Sequence, residues 1–117
     1  MILEILLFMA FGIALGTLMG LVPGIHPNMV LLMVPFLILF NISPVLMVVF
    51  IVSLGVTNVI VDYIPSILFG APDSDSALSV LPGHRLLLEG KGYMAIKLSV
   101  IGALFAVIGI IILMPLL

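Results

Sequence analysis

A chain of 117 residues with 65% apolar and 7% charged residues, and a mean hydropathy of +1.61, has more apolar surface than one soluble core of this size can hide. The net charge of -2 and the lack of any Lys or Arg run exclude a nucleic-acid partner. The lack of cysteine excludes disulfides, thiolate metal sites and a Cys nucleophile. What remains is a protein whose first partner is the lipid bilayer, with room for at most about four or five spanning or half-spanning segments.

Residues 5–22 are apolar apart from Thr17, roughly 27 Å if helical and close to the hydrocarbon thickness of a bilayer. No Lys or Arg precedes this run and Glu4 does, so it reads as a retained membrane helix rather than a signal peptide. Gly12, Gly16 and Gly20 recur every four residues and predict one bare face where a second helix can approach closely. Pro23, Gly24, His26 and Pro27 then end the helix, and Asn28 suits the N-cap of the next segment.

That next apolar run, residues 29–40, is too short to cross as a helix and contains Pro35; a half-helix or re-entrant arm is expected. After the turn at Asn41 to Pro44, residues 45–64 are long enough to span, and Pro65 is expected to kink or stop them. Asn58 and Asp62 share a face of this segment, with Gly55 and Ser66 near the same stripe. Residues 66–70 form a short apolar piece and residues 71–76 a polar loop that can cap a short arm at 77–81, which Pro82 and Gly83 break. His84, Arg85, Glu89 and Lys91 are expected at the membrane surface, before a last apolar segment at 94–113. Arg85, Lys91 and Lys97 are the only cations, and they place the loop 82–97 in the cytoplasm by the positive-inside rule.

The expected fold is therefore all-α and polytopic: about three full transmembrane helices plus two short re-entrant or broken arms, with residues 1–117 forming one membrane domain. Seven of the eight charged residues fall between Asp62 and Lys97. Polar groups and broken backbone at membrane depth are costly unless they line a protected site. A helix that starts within the membrane offers unpaired N–H groups to an anion, so two interrupted arms point to a carrier.

The runs Gly16-Thr-Leu-Met-Gly20-Leu-Val-Pro23-Gly24-Ile-His26-Pro27, Ser66-Ile-Leu-Phe-Gly-Ala-Pro72 and Pro82-Gly83-His84-Arg85-Leu-Leu-Leu-Glu-Gly90-Lys-Gly92-Tyr-Met-Ala95, with Pro35 between the first two, carry a family resemblance. From about Gly12 to Gly109 the chain resembles the large permease subunit of tripartite tricarboxylate transporters. His26 replaces a small residue of the usual pattern and Pro82-Gly83 an Asp-Gly pair, which suggests a divergent, archaeal-type branch. Family permeases are several times longer, so the chain would correspond to an N-terminal portion or one repeat-like unit. The resemblance implies cation-coupled movement of di- or tricarboxylates through the plasma membrane, beside an extracytoplasmic solute-binding protein and a small membrane subunit. At this length it also implies a homo-oligomer or a second permease chain.

On that reading Pro23, Gly24, His26, Pro27, Asn28, Ser66, Pro72, Ser74 and Ser76 are the candidate substrate-binding residues. Asn58, Asp62, Asp73 and Asp75 are candidates for a coupling Na+ or H+, with no other cofactor expected. Asp73 and Asp75 also suit N-capping of the arm at 77–81. His26 and His84 lack metal-ligand spacing. Two rival functions are an intramembrane aspartic enzyme pairing Asp62 with Asp73 or Asp75, and an accessory subunit docking through the glycine stripe.

Overall fold

The computed structural model describes residues 1–25, 28–32, 34–39, 41–70 and 77–116, with the side chains of 31, 36–38, 77 and 79–81 outside that description. Its elements are α1 (Ile2–Gly20), α2 (Asn28–Leu31), α3 (Val34–Leu39), α4 (Pro44–Phe69), α5 (Ala77–Leu88) and α6 (Gly92–Leu113), with a 3-10 turn at Met114–Leu116. Every described element is helical. Helices Ile2–Gly20 and Pro44–Phe69, and the stretch Gly92–Leu116, are long and apolar enough to cross a membrane, as the composition requires. The chain divides into two compact units, Met1–Asp62 and Tyr63–Leu117.

In the first unit α1 lies against α4, and the glycine stripe is the contact face. A Cβ added at Gly12 would stand 2.7 Å from the Phe50 carbonyl oxygen, one at Gly16 would overlap the Leu54 carbonyl, and one at Gly20 would stand 2.8 Å from the Asn58 carbonyl. Each step of four on α1 is matched by a step of four on α4 in the same direction, so the two helices run parallel. The Phe11 and Phe50 rings stack at the same level, centroids 5.6 Å apart. Val30 of α2 joins Phe50 and Leu54 in the core, with Phe8, Leu15, Met19 and Ile51 packed around them. Two hydroxyls bond back onto their own helices, Thr17 to the Ile13 carbonyl at 2.8 Å and Ser53 to the Val49 carbonyl at 2.7 Å, which satisfies them without water.

Two proline readings need correction. Pro65 does not stop the third segment: α4 continues through it to Phe69, so residues 66–70 are not a separate piece. Its cost is the one bond that the Val61 carbonyl would otherwise accept, and Pro65 itself is buried. The helix ends instead at Gly70, whose φ of +62° is the left-handed conformation common just past a helix C-terminus. Likewise Pro82-Gly83 does not break the short arm at 81, because α5 continues to Leu88. Pro82 deprives only the carbonyl of Leu78, a residue that is 95% exposed.

In the second unit α5 and α6 form a hairpin. The turn places the Leu87 side chain against Gly92, which a Cβ there would overlap, and Ala95 is buried. Leu78, Pro82, Gly83 and Leu86 face Ala95, Leu98 and Ser99 across a groove of about 400 Å³. Pro44 opens α4, as expected of proline in a first turn. Where a half-helix or re-entrant arm is expected, the described residues form two short helices, α2 and α3.

Candidate functional site

The first candidate region grows from the end of α1. Gly20 abuts the Asn58 carbonyl and the Val61 side chain, so the chain leaves α1 beside that turn of α4. Pro23 and Gly24 come directly after, both exposed, with Gly24 at φ +85° and open space where a Cβ would go. Asn28 is exposed and is the first residue of α2 rather than the residue before it.

Asn58 is only 5% exposed, and its side-chain Nδ2 has no hydrogen-bond partner among the described residues. A buried amide left so costs about 1–3 kcal/mol, and its N–H groups, being donors, call for an acceptor. Asp62, one turn further on, is half-buried. The Val61 carbonyl between them faces Pro65 four residues on, which has no N–H to give it. One turn of α4 therefore brings the Asp62 carboxylate and a carbonyl released by proline, both oxygen acceptors able to meet a cation or a proton, beside the Asn58 amide, whose unpartnered nitrogen is a donor.

In the second unit Ser66 is 1% exposed and Ile67 fully buried. His84 is half-buried, and its Nδ1 lies 2.9 Å from the Ile67 carbonyl. That carbonyl belongs to the last turn of α4, where no intrahelical donor reaches it. A carbonyl only accepts, so Nδ1 carries the proton, leaving Nε2 as the other ring position. Gly83 makes the approach possible, since a Cβ there would come within 2.9 Å of Ile67 Cγ1, and Gly70 lies under the same imidazole. The Pro82-Gly83-His84 run is thus a device that caps α4. Sequence reasoning missed it because the partner is a backbone carbonyl seventeen residues away, with no side-chain identity to betray it.

Arg85 and Lys91 both reach Glu89, at 3.5 and 3.2 Å, in exposed pairs that add little stability. His26, Pro27, Pro72, Asp73, Ser74, Asp75 and Ser76 lie outside the described residues. Among the described residues there is no cluster of His, Cys, Asp and Glu able to hold a metal ion. The groove of about 470 Å³ beside α1 and α4, lined by Met9, Ile13, Val48, Val52 and Val56 with Ser53 and Thr57, is too apolar for a carboxylate ligand.

These features define a multi-pass helical membrane protein in which long apolar helices alternate with short interrupted ones. The chain belongs to the tripartite tricarboxylate transporter TctA family, which it matches over residues 6–117. It is 39% identical over 107 residues to an uncharacterized protein of the archaeon Methanocaldococcus jannaschii, a match covering 88% of this chain and 26% of that protein. The chain thus spans about a quarter of the length of that curated relative. No solved structure matches it.

Proposed function

We propose that the chain forms part of a permease that moves small organic anions of the di- and tricarboxylate class across the plasma membrane, driven by a Na+ or H+ gradient. The observation that carries this reading is the pair of short helices, α2 and α3, set between two helices long enough to span, with Val30 of α2 buried in the shared core. Membrane proteins accept interrupted helices where the freed backbone lines a protected site, and carriers use them to hold substrates and coupling ions.

On this reading Pro23, Gly24 and Asn28, with His26 and Pro27, contribute to the anion site, and Asn58 and Asp62 to the cation site. Ser66, Pro72, Ser74 and Ser76 on the substrate side, and Asp73 and Asp75 on the cation side, complete the proposal. The loop 82–97 faces the cytoplasm, since it carries all three cations. An extracytoplasmic solute-binding protein delivers the anion and a small membrane subunit accompanies the permease; further copies of this chain or a second permease chain complete the pathway.

The test is uptake of labelled citrate and succinate into proteoliposomes holding this chain, with and without Na+ and pH gradients. Uptake that follows a gradient and disappears in Asp62→Asn supports the reading. Folded, inserted protein that moves neither anion when the solute-binding protein, the small membrane subunit and the remainder of the permease are reconstituted with it refutes it.

A further inference from the structure

We infer that the chain between α1 and α4 is not a re-entrant arm but an interrupted transmembrane crossing. Its two proline turns, at Pro23-Gly24 and at Ser43-Pro44, then open on opposite faces of the membrane.

The argument starts from the register of the glycine stripe. Gly12 meets Phe50, Gly16 meets Leu54 and Gly20 meets Asn58, so α1 and α4 advance together. Pro44, six positions before Phe50, is therefore level with Leu6, six positions before Gly12. The chain leaves α1 at the level of Gly20 and must re-enter α4 at the level of Leu6. That is fourteen residues of helix, about 21 Å back along the axis.

A re-entrant arm returns to the side it left; this one cannot, because two parallel spanning helices have their starts on one side. The depth of α2 agrees. Val30 packs on Phe50 and Leu54, the levels of Gly12 and Gly16, which lie midway between the two turns. A four-residue helix at that depth, together with the six residues of α3, rises about 15 Å, less than the hydrocarbon thickness. These two helices alone therefore do not make a full crossing, which is why it is interrupted. The inference concerns the path of the chain and stands apart from which solute is moved.

The protein has no cysteine, so single substitutions report cleanly. Glu4→Cys, Pro23→Cys and Ser43→Cys, each at an exposed position, are reconstituted in sealed vesicles and treated with a membrane-impermeant maleimide before and after permeabilisation. The expected result is that Glu4→Cys and Ser43→Cys react from one side and Pro23→Cys from the other. Reaction of Pro23→Cys and Ser43→Cys from the same side overturns the inference.

A second measurement does not depend on orientation in the vesicle. Spin labels on Leu7→Cys with Val45→Cys, at exposed sites of equal level, should lie closer than labels on Leu18→Cys with Val45→Cys, by a difference on the order of 10 Å. The reverse order would make the helices antiparallel and overturn the inference as well.

Discussion

Replacing Gly16 by alanine tests the contact on which the first unit is built. The added Cβ would overlap the Leu54 carbonyl oxygen and come within 3.1 Å of Leu54 Cα and 3.2 Å of its carbonyl carbon. All three are backbone atoms, so no side-chain rotation relieves them. The helices must part, and because Gly12 and Gly20 lie on the same stripe, their contacts with Phe50 and Asn58 loosen too. Overpacking of this kind costs about 1–3 kcal/mol. Alanine also raises helix propensity by about 1 kcal/mol over glycine, which would mask part of the loss in a single comparison. Gly102→Ala isolates that contribution, since Gly102 sits in α6 with nothing within 4 Å of the added methyl. Denaturant unfolding of both variants in the same detergent should therefore separate them by about 1–3 kcal/mol, with Gly16→Ala the weaker. Equal stability would refute the close parallel contact and the chain path drawn from it.

The remaining predictions concern the polar groups. His84→Ala should strand the buried Ile67 carbonyl and cost about 1–3 kcal/mol, with faster amide exchange at the end of α4, whereas His84→Gln, which keeps a donor, should lose less. Gly70→Ala should destabilise more than Gly90→Ala, although both residues have positive φ, because only at Gly70 does the methyl meet a neighbour, the His84 ring at 3.2 Å; thermal unfolding of the pair checks this. Asn58→Leu should keep or raise stability, by up to about 1–2 kcal/mol, because it removes a buried unpartnered amide, yet abolish gradient-driven uptake. Loss of stability together with retained uptake would return Asn58 to a purely structural role.

How much of this was legible in the sequence depended on whether a feature carried its own signature. The three long helices were, because an apolar run of about 20 residues has few alternatives. So was the stripe of Gly12, Gly16 and Gly20, since a spacing of four is visible without knowing the partner. The prolines misled. Rules from water-soluble helices make Pro65 and Pro82 terminators, but each removes a single bond, and the helix runs on through both. What ends α4 is Gly70 with the His84 cap, and neither could be assigned before the α4 end and α5 were seen together.

Chain direction was the feature furthest from reach, and the reason lies in the asymmetry of the α1 and α4 contact. One side is three glycines, which announce themselves; the other is Phe50, Leu54 and Asn58, three residue types with nothing in common but spacing. A small-residue stripe says that some helix comes close, and its spacing of four is the same read from either end. Only the pairing of particular levels tells parallel from antiparallel. Composition alone makes residues 29–40 too short to cross as one helix, and leaves a half-helix and a re-entrant arm both open. The register bears on that choice without altering a single local assignment: the same short helices, placed between parallel neighbours, fit the middle of an interrupted crossing. Asn58 then acquires its meaning from the same fact, as a buried amide on the turn of α4 where α1 ends and the return begins.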